Sequence, residues 1–279
     1  MSFRLTRCFI CVLSLIIFAN SRLWSQKERV QEELNAEYKG KILILRNFYT
    51  ENDLTYDQRG TLQDHAFKGS WTLASMKLSR IAIVPDGITI DADRMGTVYG
   101  GKIGTAKGDI HELGKMPKAH LVNLGKVKIH VEKKIEDGDT VTAIRPIFES
   151  IFVRPDEDLR PMLPDYWEGD IKTEDSRASE PPPEKLPSKV VKPPRVVYSP
   201  DPTYTREASK FGLEGTSVLT IVVNPNGTAD RIVIVRPLGL GLDEQAVDMI
   251  RRWKFQPATK EGQPVSVRVT IEVSFRCCH

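Results

Sequence analysis

The 279-residue chain has few of the groups on which most protein chemistry depends. It holds four cysteines, and the two beyond the N-terminal segment, Cys277 and Cys278, lack the spacing of a zinc or thioredoxin-type motif. Cys8 and Cys11 lie near the N-terminus. Cys277 and Cys278 are neighbours at the C-terminal end, where three outcomes stay open: pairing with each other, pairing across a homodimer, or an unpaired tail. The five histidines are His65, His111, His120, His130 and His279, and none makes a helical metal pair. No Gly-x-Ser-x-Gly elbow is present, which removes the usual serine hydrolase. Gly100-Gly101-Lys102-Ile103-Gly104-Thr105 lacks the Lys-Ser/Thr ending of a phosphate loop and reads as a Gly-rich surface loop. The expectation is a non-enzyme with no cofactor and no bound metal. The alternative is an enzyme whose site lies in the middle of the chain.

A long apolar run is also missing. Cys8 to Ala19 is the apolar stretch, twelve residues long, behind the basic pair Arg4 and Arg7. As a helix it reaches only ~18 Å, against roughly 30 Å of bilayer hydrocarbon. With small residues Ala19, Ser21 and Ser25 beyond it, residues 1–26 read as an export signal, with a short retained anchor as the alternative. Of the 40 lysines and arginines, three lie in residues 1–26, which hold no acid; the other 37 match the 37 acids. A balanced remainder excludes a nucleic-acid partner or a strongly basic membrane surface.

Periodicity is what the chain does have. At the C-terminal end, Val265, Val267, Val269, Ile271, Val273 and Phe275 alternate with Ser266, Arg268, Thr270, Glu272, Ser274 and Arg276. That is a strand with one buried face. Ser217–Val223 and Ala229–Arg236 are two further strands, joined by the turn Asn224-Pro225-Asn226-Gly227. Leu242, Ala246, Met249, Ile250 and Trp253 share one helical stripe. Asp243 and Glu244 open that helix and Arg251, Arg252 and Lys254 close it, as the helix dipole favours.

The order of residues here resembles the TonB C-terminal domain family. The matching positions are Tyr198-Ser199-Pro200, Tyr204, Ala208, Gly212, Glu214-Gly215-Thr216, Asn226-Gly227, Leu238-Gly239, Gly241-Leu242-Asp243-Glu244, Ala246, Trp253-Lys254-Phe255, Pro257-Ala258, Gly262 and Pro264-Val265. They run over roughly residues 195–276. The resemblance implies an α+β domain, an antiparallel sheet of about three strands packed with one or two helices. It implies a periplasmic location and a partner, the extended peptide segment of an outer-membrane TonB-dependent transporter. If the N-terminal segment is a retained anchor facing the periplasm, it also implies inner-membrane motor proteins and energy coupling to transport. A soluble envelope scaffold without energy coupling is the other reading. An extended partner would add to a sheet edge. The expected edge is the last strand: Val265, Ser266, Val267, Arg268, Val269, Thr270, Ile271, Glu272, Val273, Ser274 and Phe275.

Ahead of this domain, residues 27–174 read as β-rich and of unassigned fold. Strands are expected at Lys41–Leu45, Trp71–Leu73, Met76–Val84, Gly87–Ala92, Thr97–Tyr99 and 127–133, with a short helix through Ile144, Ile147, Phe148 and Ile151. Residues 175–200, with Pro181-Pro182-Pro183, Pro187 and Pro193-Pro194, read as an extended linker before the domain at 201–279.

Overall fold

The computed structural model describes residues 26–100, 102–103, 119–167, 183–184 and 190–276. The expected signal segment, apart from Gln26, lies outside the described residues. So do 175–182 and 185–189 of the expected linker, His111, and Cys277-Cys278-His279. In chain order the elements are α1 (26–38), β1 (Ile42–Leu45), β2 (Asp53–Asp57), β3 (Ser75–Val84), β4 (Gly87–Val98), β5 (Lys102–Ile103), β6 (His120–Glu132), α2 (Val141–Ile151) and β7 (Phe152–Val153). There follow β8 (Val191–Lys192), β9 (Arg195–Tyr198), α3 (Arg206–Phe211), β10 (Leu213–Val223), β11 (Ala229–Arg236), α4 (Leu242–Arg252), β12 (Lys254–Gln256), β13 (Ala258–Lys260), β14 (Gln263–Val265) and β15 (Val267–Phe275). The protein is mixed α+β and divides into two units. Of the described residues, one takes those up to 68, 74–95 and 125–157; the other takes those in 69–73, 96–124 and 158–276.

The first unit is a six-stranded sheet in the order β2-β6-β4-β3-β1-β7, with β2 and β6 parallel. Alternation buries Ile88, Ile90 and Ala92 of β4 and Val127, Ile129 and Val131 of β6. Val30, Leu34 and Tyr38 of α1 join Ile144, Phe148 and Ile151 of α2 in the same core. The rings of Tyr38 and Phe148 stack with centroids 4.7 Å apart. Polar side chains on α1 fix its register. Asn35 accepts from the Ile81 amide at 3.0 Å and donates to its carbonyl at 2.7 Å, while Gln31 accepts from the Ile83 amide at 2.8 Å. These bonds satisfy backbone groups just past the irregularity in β3 between Leu78 and Arg80.

The second unit is built on β10. It pairs antiparallel with β11 on one side and β15 on the other, and at its start with β5. Leu219, Ile221 and Val223 of β10 are fully shielded, as are Leu242, Ala246, Val247 and Ile250 of α4. Each large apolar side chain removed from water in this way stabilises the unit by about 1.5–3 kcal/mol. α3 ends at Gly212 in the left-handed region, after Thr205 has capped its start by accepting from the Ala208 amide at 3.2 Å.

Several expectations change. Trp71–Leu73 is a 3-10 turn instead of a strand, because Ser70 accepts from the Thr72 amide at 3.1 Å through its hydroxyl and from Leu73 through its carbonyl. Residues 190–198, expected as linker, contain β8 and β9, which pair with β13 and β12. The described residues among 96–124 and 158–167, expected in the β-rich domain, belong with the second unit. Trp253 lies past the end of α4 in extended backbone and is half-buried instead of part of the helical core stripe.

Candidate functional site

The turn Asn224-Pro225-Asn226-Gly227 returns β10 into β11 as its residue types require. Gly227 has φ 78°, and a Cβ there would stand 2.2 Å from the Phe255 carbonyl oxygen. The loop into α4 is the most constrained part of the unit. Gly239, Leu240 and Gly241 all have positive φ. A side chain at Gly239 would meet the Thr97 carbonyl oxygen at 2.2 Å. Asp243 holds this loop from inside. Its carboxylate accepts from the Ser217 hydroxyl at 2.6 Å, the Leu238 amide at 2.8 Å and the Gly239 amide at 2.7 Å. Complete burial pushes its carboxyl up to about 6 against those three donors. Beside it, burial and the Asp243 charge push Glu244 up to about 7. Glu244 accepts from the Trp167 indole at 3.1 Å through Oε1. This clamp ties the loop into α4 to Ser217 of β10, and α4 packs on β10 and β11.

β15 pairs with β10 residue by residue, from Val223 opposite Val267 to Gly215 opposite Phe275. Val267, Val273 and Phe275 are buried, whereas Thr270, Glu272 and Ser274 are exposed, so the expected alternation is present. Phe275 meets Tyr204 edge-on with centroids 5.8 Å apart. The expected strand is shorter at its start. Val265 ends β14, and Ser266 lies between the two strands. The cause is a tight turn at Glu261-Gly262, both at positive φ, which folds β13 back on β14 with Lys260 opposite Gln263.

The other long edge of β15 faces away from β10. Two backbone bonds establish which residues present themselves there. The Ser266 carbonyl accepts from the Glu184 amide at 2.9 Å, and the Arg268 amide donates to the Glu184 carbonyl at 3.4 Å. The N–H and C=O of one strand residue point to the same side, and the sides alternate. The backbone groups of Thr270, Glu272 and Ser274 therefore also face outward. Among the described residues, Glu184 makes the one bridge to this edge, in parallel orientation with Val267. The Glu184 carboxylate lies 2.7 Å from the Lys260 ammonium. Neither Glu184 nor Lys260 was legible as a site residue, because the first follows a proline run and the second sits in a hairpin. Among the described residues, no group of three or more His, Cys, Asp and Glu side chains is disposed to hold a metal ion, and no helix is long and apolar enough to cross a membrane.

The family match falls on the second unit. The family described as the Gram-negative bacterial TonB protein C-terminal matches residues 200–277. The Protein TonB of Vibrio cholerae is 34% identical over 88 residues, covering 31% of this chain and 36% of that protein. The Protein TonB of Xanthomonas campestris is 32% identical over 75 residues, covering 26% and 34%. The Protein tonB2 of Pseudomonas aeruginosa is 30% identical over 81 residues, covering 29% and 30%. The chain thus spans about a third of the length of these relatives. A solution NMR structure of the Pseudomonas aeruginosa TonB CTD aligns with 34% of this chain and 95% of its own, at 20% identity and a TM-score of 0.27. On the family match and the identities, residues 200–277 are a domain of the TonB C-terminal family.

Proposed function

We propose that the second unit is a non-catalytic adaptor that captures an extended peptide segment by adding it as a strand to β15. The observation that supports this is the outward-facing backbone of that edge, marked by the Ser266 carbonyl and the Arg268 amide. Donors and acceptors at every second residue, Arg268, Thr270, Glu272 and Ser274, provide affinity that does not depend on partner side chains. The exposed side chains of Thr270 and Glu272, with the half-buried Arg268, tune the choice of partner. By its family the partner is the segment that an outer-membrane TonB-dependent transporter presents to the periplasm. On this reading the chain is exported and works in the periplasm, and it couples inner-membrane energy to transport only if its N-terminal segment stays as an anchor.

The test is a titration of the full chain with synthetic peptides from the periplasmic ends of such transporters. Thr270→Pro removes one outward donor and should abolish binding. Thr270→Ala keeps the donor and should leave affinity within about twofold. Circular dichroism must first show that the proline variant keeps its fold. A folded proline variant that binds like the parent means β15 is not the site. Peptides that bind neither protein mean that the fold is present without the capture activity.

A further inference from the structure

Glu184 sits directly after Pro181-Pro182-Pro183, well before the domain in sequence, yet it occupies the start of the edge assigned above to a partner. It uses both of its backbone groups there, one on the Ser266 carbonyl and one on the Arg268 amide. Its side chain is anchored separately. The carboxylate is 2.7 Å from the Lys260 ammonium, which the ion pair holds above its ordinary pKa. The side chains are 37% and 41% exposed, so salt and solvent screen the pair and the contact is a weak one. Weakness is the relevant property. A tight contact would block the edge, and no contact would leave an exposed strand free to pair with any chain it met.

We propose that Glu184 is a built-in competitor for β15, holding the first outward acceptor and donor of the edge until an incoming strand displaces it. The inference rests on the strand-capture reading above. A partner strand in register along β15 needs the same Ser266 carbonyl and Arg268 amide, so the two cannot be bound at once. The apparent affinity for the partner is then the intrinsic affinity reduced by the fraction of chains whose edge is open. With two backbone bonds at the rim and one screened ion pair, that reduction is roughly three- to tenfold. The Lys260 contact makes the competition dependent on ionic strength, and higher salt should open the edge.

The test uses the full chain and two readouts. Glu184→Pro removes the donor to Ser266, and Glu184→Lys places a like charge beside Lys260. Neither position is in a packed core, so both variants should fold. Amide exchange by NMR should quicken at Arg268 in both variants and stay unchanged at Thr270. The transporter peptides used above should bind both variants roughly three- to tenfold more tightly than the parent. The charge swap Glu184→Lys with Lys260→Glu should return affinity toward the parental value. Unchanged exchange at Arg268 would show that the contact does not form in solution and would overturn the proposal. Faster exchange with peptide affinity equal to the parent would overturn the competition while leaving strand capture standing. Faster exchange with no peptide binding by any of the proteins would remove strand capture, and the competition with it.

Discussion

Stability of the second unit should fall as pH rises from about 4 to about 7, opposite to the usual behaviour of proteins with salt-bridged acids. The cause is Asp243. Its carboxyl is fully buried and raised from 3.8 to about 6. A raised acid binds its proton more tightly in the folded state, so the native protein holds more protons than the unfolded chain between those two values. Stability therefore falls with pH through that window. The contribution is complete below 3.8 and lost as pH passes about 6. A shift of about two units corresponds to about 3 kcal/mol. Glu244, raised to about 7, extends the window upward. Its shift is partly the Asp243 charge, so the two effects overlap and do not add. The assay is urea unfolding followed by tryptophan fluorescence. Trp71, Trp167 and Trp253 all lie in the second unit, and Trp167 donates to Glu244. At an m-value of about 1–3 kcal/mol/M, the midpoint should drop by roughly 1–2 M between pH 4.5 and 7.5. Asp243→Asn should flatten most of this slope, because the amide does not ionise. At every pH it should also lose stability by about 1–3 kcal/mol, since its NH2 group faces a backbone donor. A midpoint that is flat or rises with pH in the parent would refute the reasoning.

Two packing predictions join those on Thr270 and Glu184. Phe275→Ala should destabilise the second unit by about 3–5 kcal/mol, read from the same fluorescence transition, because the ring is 1% exposed and packs on Tyr204. A loss below about 1 kcal/mol would mean the end of β15 is frayed. Gly239→Ala should cost at least about 2 kcal/mol, from positive φ together with a Cβ position 2.2 Å from the Thr97 carbonyl oxygen. An unchanged denaturation midpoint would show that the loop into α4 can relax.

Local patterns were legible where one short segment decides its own structure. The Asn224–Gly227 turn, the alternation from Val267 to Phe275 and the α2 face through Ile144 and Phe148 all stand as expected. Features that depend on distant partners were not. Asp243 reads as an ordinary acid in a first helical turn. Only the approach of Ser217, Leu238 and Gly239 makes it a buried clamp. Val265 fits the alternation of the last strand, but the Glu261-Gly262 turn draws it into the hairpin with β13. The two valines and the tyrosine of β9 are exposed and follow a proline pair, so nothing local distinguished a paired strand from a linker. Glu184 is the extreme case. Its pairing is set by Ser266 and Arg268, some eighty residues away, and its neighbours carry no signal of it.

The nine paired positions between β10 and β15 also have a mechanical meaning. Their hydrogen bonds lie across the strand direction. Tension delivered along β15 by a captured strand would act on those bonds in shear. Nine residue pairs would resist together, and no end bond would take the whole force first, as it does when two strands are peeled apart. Because β10 is also paired to β11, the load would pass sideways across the sheet into the second hairpin strand. On the strand-capture proposal, a partner added at this edge would be held in the geometry that best withstands a pull along its own axis.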